Sequence, residues 1–239
     1  MNIVDLAILV ILAFGGIIGF KRGFLKETVS FLGFALVIIL SFLLKNTVSA
    51  VMYKNLPFIN FDGIFKGVTS LNILLYEIIA FLLVFSVLMV ILRVVMLATS
   101  VFEKILRATF ILSIPSKLCG AVVGVLHYYF IIFIVLYISS FPIFNVNYLN
   151  NSNYKNKILN ETPVLTGFIQ NTNEMVEEFN MLKEKYKTID DSKKFNYEVL
   201  DLFLKHKIIT VDSLKVLEIK GKIDVDNFNS LIEKYERVR

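Results

Sequence analysis

The stretch FGGIIGFKRGF, residues 14–24, closes an apolar run with glycines at 15, 16, 19 and 23, and places Lys21 and Arg22 between the last two. Glycine disfavours a helix interior by about 1 kcal/mol relative to alanine. A soluble helix gains nothing from carrying four of them, but a membrane helix does. Lipid tails are as apolar as leucine, so helices in a bilayer associate through close packing, and glycine lets two backbones approach. Gly15, Gly19 and Gly23 recur every four residues and so share one helix face. Gly120 and Gly124 repeat that spacing in a later apolar run. The spacing predicts tight helix packing between the two runs inside one chain, with a contact between copies in a homo-oligomer as the alternative.

Composition points the same way. The chain has 239 residues, 56% of them hydrophobic and 19% charged, against about 45–50% apolar and about 25% charged in soluble domains. The apolar residues concentrate before residue 142. In the first 144 residues 10 Lys/Arg face the acids Asp5, Glu27, Asp62, Glu77 and Glu103, whereas from Asn145 onward 15 Lys/Arg balance 15 Asp/Glu. The formal +5 therefore lies on the apolar part, where loop cations orient membrane helices. The partner expected is the lipid bilayer, and no nucleic acid. One cysteine, Cys119, excludes an intrachain disulfide and a cysteine-based metal site, and is expected to be a small buried residue. The opening MNIVDLAILV holds Asp5, no early cation and no small-residue cleavage site, so it reads as a retained helix and not as a signal peptide.

Four membrane spans are expected, at about 3–20, 28–44, 73–98 and 118–141. Pro57, Asp62, Gly63 and Gly67 interrupt the chain between the second and third. Phe102, Ile105, Leu106 and Thr109 fall at helical spacing and predict an interfacial helix over about 100–113, stopped by Pro115. After Pro142 an Asn-rich linker, 143–160, leads into a helical C-terminal domain over 161–239. There Met175, Phe179 and Leu182, and then Val199, Leu200, Phe203 and Leu204, keep helical spacing, with TIDDSKK between them as a turn. Asp212 and Asp226 each precede an apolar stripe, as an N-cap or first-turn acid does, and Gly221 suits a helix end. The fold class predicted is all-α: a polytopic membrane protein with about four transmembrane helices in a membrane domain over 1–142, and a small soluble helical region.

The first block also carries a resemblance. Asp5, then Gly15, Gly19, Arg22, Gly23 and Glu27, in IVDLAILVIL and GGIIGFKRGFLKETVSFLG, resemble the colicin V production protein (CvpA) family. A second block, IPSKLCGAVVGVLHYYFIIFIVLYI, is similar to the last helix of that family at Gly120 and Gly124. The family often has Arg-Gly soon after that second glycine, where this chain has His127 and Tyr128. The resemblance covers about residues 1–142. It implies a multi-pass protein of the bacterial cytoplasmic membrane linked to toxin production, biofilm growth and envelope stress. Some members carry a serine protease domain outside the cytoplasm. The tail here has no G-x-S-x-G, and its one histidine is His206.

Lys21, Arg22 and Lys26, followed by Glu27, form a compact charged turn, and short basic loops stay in the cytoplasm. With Lys104, Arg107 and Lys117 after the third span, the count places both termini and the tail outside, although Lys45, Lys54 and Lys66 make the loop after the second span equally basic. Ionisable residues inside spans are candidates for function. Asp5, Arg93 and His127 are the ones singled out, and Glu77 also qualifies. A structural reading stands beside each. Asp5 suits a helix N-terminus, Arg93 lies near its span's end and can snorkel, and His127 suits a packing role or a proton relay. No phosphate loop, HExxH, EF-hand loop or triad is present, so no enzyme, metal or cofactor is expected. Two functions follow: a non-enzymatic accessory or scaffold in toxin production, export or envelope maintenance with unknown envelope or export proteins as partners, or an oligomeric channel or transporter.

Overall fold

Helix α1 (Ile3–Arg22) and helix α2 (Phe24–Asn55) are separated by a single residue, Gly23. In the computed structural model Gly23 has φ 83° and ψ 168°, a conformation essentially confined to glycine. Its N–H still bonds the Gly19 carbonyl at 2.8 Å, and its own carbonyl accepts from Glu27 N–H at 3.1 Å. One residue thus joins two long helices. The structure describes residues 2–59, 69–108, 110–139, 152–162, 165–186, 191–223 and 225–237, and among these it has no strand. Helices α3 (Ser70–Ala108), α4 (Phe110–Ser139), α5 (Asn153–Glu161), α6 (Leu165–Lys185), α7 (Ser192–Lys205), α8 (Val211–Ile219) and α9 (Phe228–Glu236) follow. Among the described residues four stretches are long and apolar enough to cross a membrane: Ile3–Arg22, Phe24–Asn55, Ser70–Ser100 and Ile114–Ser139.

The chain forms two units, Met1–Ile38 with Leu88–Gln170, and Ile39–Val87 with Asn171–Arg239. Helices α2 and α3 therefore each contribute one part to each unit.

In the first unit α1 packs on α4 through glycine. A Cβ placed on Gly19 would strike the Gly120 carbonyl oxygen and come within 2.9 Å of Gly124 Cα. A Cβ on Gly120 would lie 2.7 Å from the Gly23 carbonyl carbon, and one on Gly15 would lie 2.7 Å from Tyr128 Cβ. The two backbones touch where side chains would otherwise hold them apart. Toward the N-terminal end of α1 the contact becomes apolar: Ile8, Ile132, Phe133 and Leu136 bury Ile158 and Leu159 of α5.

In the second unit the end of α2 and the start of α3 share a core with the tail helices. Tyr53, Ile73 and Tyr76 belong to one buried cluster with Phe195, Val199, Leu200, Phe203, Leu214, Leu217 and Leu231. Tail chemistry also finishes the membrane helices. Asn196 Oδ1 accepts from the N–H of Ser70 at the start of α3, at 3.3 Å, and Lys222 Nζ donates to the Leu56 carbonyl beyond the end of α2, at 3.2 Å. Helix α8 ends in a Schellman turn: Gly221, at φ 61°, donates to Glu218 O, and Lys222 N–H donates to Leu217 O. Helix α7 ends the same way at Lys207, φ 56°, with Ile208 N–H donating to Phe203 O.

Several expectations change. Helix α2 does not stop near Leu44 but continues to Asn55 with a polar face that finds partners. The stretch 100–113 forms no separate helix: α3 runs on to Ala108, and α4 begins at Phe110 and includes Pro115. Pro115 is the sixth residue of α4, past the first turn, and the helix runs on through it with one backbone bond fewer. The side chains of 101–113, and the loop with Asp62, Gly63 and Gly67, lie outside the described residues, as does Pro142. The expected linker contains α5, capped by the Ser152 side chain on Lys155 N–H. Cys119 is exposed, because the buried face of α4 is the one carrying Gly120 and Gly124. Asp191, in the expected turn, caps α7. Thr210 caps α8, and Asp212 takes the other of its two expected places, as an acid in the first turn. Asn227, not Asp226, is the N-cap of α9.

Gly19→Ala is expected to lower thermal stability of the detergent-solubilised protein by about 1–3 kcal/mol through overpacking. Gly167→Ala, in α6 with nothing within 4 Å of the added Cβ, is expected to raise it by about 0.5–1 kcal/mol. Equal melting temperatures for the two variants would contradict the α1–α4 contact.

Candidate functional site

Two buried charge clusters carry the polar chemistry of the membrane helices, one in each unit. The first grows from the Gly23 turn. Glu27 stands in the first turn of α2 and is completely buried. Arg22, the residue before the turn, reaches its Oε2 with Nη1 at 3.1 Å. His127 of α4 places Nδ1 2.8 Å from Oε1. Phe31 and Phe34 follow Glu27 at i+4 and i+7 on the same helix face, and their rings lie 5.7 and 5.8 Å from the imidazole. Phe24 N–H, which no earlier turn of α2 can satisfy, donates to Ser116 Oγ of α4 at 3.1 Å. A carboxylate taken out of water costs several kcal/mol unless paired. Here a guanidinium and an imidazole share it.

The second cluster grows from a four-residue repeat. Lys45, Ser49 and Tyr53 lie on one face of α2 and converge on Glu77 of α3. Ser49 Oγ and Tyr53 Oη each donate to Glu77 Oε1 at 2.6 Å, and Lys45 Nζ donates to Oε2. The ammonium has three N–H bonds, and its other two partners are Asn46 Oδ1 at 3.1 Å and the Ile208 carbonyl at 2.6 Å. That carbonyl is offered by the Schellman turn ending α7, where the helix dipole also favours a cation. Both members of the pair are at most 5% exposed. The cluster is fully satisfied, so its chemistry is structural: it joins α2, α3 and α7 through one ammonium.

The residues singled out from the sequence fall as follows. Asp5 is buried and accepts from Ser152 Oγ at 2.6 Å and from Tyr154 N–H at 3.2 Å, which places it on the N-terminus of α5. Arg93 is exposed on α3, about 10 Å at 1.5 Å per residue from the span's limit at Ser100. His127 is buried against Glu27. Asp5 and His127 have different partners, and the described contacts join neither to Arg93. Gly15, Gly19, Gly23, Gly120 and Gly124 meet across α1 and α4. Lys21 is exposed and Lys26 half-buried at the turn. The Lys45–Glu77 pair escaped sequence reading because Lys45 marks the apparent end of an apolar run. Its signal was the recurrence of Lys45, Ser49 and Tyr53 every four residues. Among the described residues no group of three or more His, Cys, Asp and Glu could hold a metal ion.

A helical protein that crosses the membrane several times, with its intramembrane acids neutralised by partners on neighbouring helices, is the class these observations define. The chain belongs to the colicin V production protein family, whose sequence profile matches residues 4–163. The match takes in α1 to α5 and leaves α6 to α9 beyond it. The chain is also 28% identical over 181 residues to an uncharacterized transmembrane protein, YshB, of Bacillus subtilis (strain 168), covering 70% of this chain and 94% of that one. No solved structure matches it.

Lys45→Met is expected to cost about 3–5 kcal/mol, because it strands the buried Glu77 carboxylate. Adding Glu77→Met should recover most of the loss. Thermal unfolding of the single and double variants measures both, and additive losses would contradict the pairing.

Proposed function

We propose that this protein is a non-enzymatic accessory of toxin production or envelope maintenance in the bacterial cytoplasmic membrane, and that it acts as a scaffold. The observation that carries the reading is the union of the tail with the α2–α3 ends. Asn196, Lys222 and the Ile208 carbonyl bond directly to membrane-helix groups, and one apolar core runs through both. A tail held this way presents its outer surface in a fixed orientation, as a docking platform requires. The family membership supplies the link to colicin V production.

The platform faces away from the cytoplasm. Lys45, counted from sequence as a loop cation, is buried in an ion pair. That leaves Lys54 and Lys66 against Lys21, Lys26, Lys104, Arg107 and Lys117, with Arg22 also at the turn. The positive-inside rule then keeps the Gly23 turn and the α3–α4 connection in the cytoplasm.

Deleting the gene from a strain that exports a colicin V-type peptide is expected to reduce the secreted toxin. The complete chain should restore it and a chain ending after Thr162 should not. Unchanged toxin yield in the deletion strain would overturn the reading. In a Cys119→Ser background, Ser192→Cys should react with a membrane-impermeant thiol reagent in intact spheroplasts. Labelling that requires lysis would reverse the orientation.

A further inference from the structure

Helix α5 is polar, yet it lies beside the apolar belt of its unit. Its first turn meets Asp5 of α1 through Ser152 and Tyr154. Its last turn reaches Tyr129 of α4, whose hydroxyl is 2.6 Å from Thr162 Oγ1. Between them Ile158 and Leu159 pack on Ile8, Leu12 and Ile132. From Asp5 to Leu12 is about 10 Å along α1 at 1.5 Å per residue, and α5 runs that distance down the helix.

The membrane reaches this depth too. Ile3, Leu6, Leu9, Val10, Ile11, Phe14, Ile17 and Phe20 are all exposed on α1. From Ile3 to Phe20 this stripe is about 25 Å tall, close to the hydrocarbon thickness of about 30 Å. A bilayer that stopped below Leu12 would meet only Phe14 to Phe20, about 9 Å, and would leave Leu6, Val10 and Ile11 in water. Yet at that same level Asn153, Asn156, Lys157, Asn160 and Glu161 of α5 are exposed. Polar side chains at membrane depth face a protein interior or a water-filled cavity, not lipid. A cavity of about 360 Å³ opens beside them, with Leu9 and Leu12 on one flank and Tyr154, Lys157 and Glu161 on the other. That is room for several waters, and the polar flank supplies their hydrogen-bond partners.

We infer that the outer face of α5 lines a water-filled vestibule that enters the bilayer from the side on which α1 begins. Solvent reaches Asn160 at the depth where lipid covers Ile11. Nothing in this assignment depends on the scaffold reading, since it rests on the depth of α5 alone.

The test uses the full chain in phospholipid nanodiscs, in a Cys119→Ser background, with single cysteines at Asn160, Ile11 and Ser192. The probe is a charged, membrane-impermeant methanethiosulfonate. It needs the thiolate, which forms in water and is suppressed in apolar surroundings. Asn160→Cys should react at a rate near that of Ser192→Cys on the tail, and about tenfold or more faster than Ile11→Cys. Slow labelling at both Asn160 and Ile11 would overturn the vestibule, because α5 would then be sealed by lipid or by a second copy. Fast labelling at both would overturn it as well, because this end of α1 would then lie outside the membrane. Lys157→Cys, one turn nearer the start of α5, should label as fast as Asn160→Cys, and a slow rate there would count against the inference in the same way.

Discussion

The contact on which the first unit depends is that of two backbones, Gly19 of α1 against Gly120 and Gly124 of α4. In a bilayer the burial of leucine does not hold helices together, so the contact must come from dispersion over closely fitted surfaces. Only glycine permits it here, because a methyl group at residue 19 would occupy the space of a carbonyl oxygen. The register set by this contact positions the polar groups on either side of it. Toward the turn it brings Ser116 of α4 to the Phe24 N–H, and beyond Gly124 it brings His127 to Glu27. Toward the other end it brings Asp5 and Tyr129 alongside the two ends of α5.

Each membrane acid is then settled by a different device. Asp5 sits on a helix N-terminus and takes an N–H and a hydroxyl. Glu27 takes a guanidinium from the adjoining turn and an imidazole from α4. Glu77 takes an ammonium and two hydroxyls from one helix face. Desolvation penalises an unpaired charge by far more than any one hydrogen bond returns, so each device fixes the elements that supply it. In the second unit this fixes the tail: Lys45 has no third partner unless α7 ends where it does and turns the Ile208 carbonyl toward it. Lys207 adopts a left-handed conformation unfavourable by about 1–2 kcal/mol for a side-chain-bearing residue, and the turn it makes is the one that presents that carbonyl.

Much of this was legible in the order of residues. The glycine spacing, the Arg-Gly turn followed by Glu27 and the number of apolar runs identify an all-helical membrane protein and its family, because these features are local and periodic. What could not be read were relations across distance. Glu77 and Lys45 are 32 residues apart, and each taken alone resembles a span boundary. Helix α5 is masked by an Asn-rich composition that favours loops, and what secures it is the Ser152 cap and a docking face on α1 and α4. Cys119 was misjudged because apolar surroundings in sequence mean burial in a soluble protein but exposure to lipid in this one. Pro115 reads as a stop, although α4 runs through it.

The most direct test of the α1–α4 contact is a disulfide. A Cβ on Gly16 would lie 3.3 Å from Val125 Cγ2, so Gly16→Cys with Val125→Cys, in a Cys119→Ser background, puts two sulfurs within bridging reach. Oxidation of the membrane-embedded protein should give a monomer carrying an internal bridge, identified by the mass of the linked peptides. Cross-linking into dimers without an internal bridge, or no bridge under oxidising conditions, would contradict a packing of α1 on α4 within one chain.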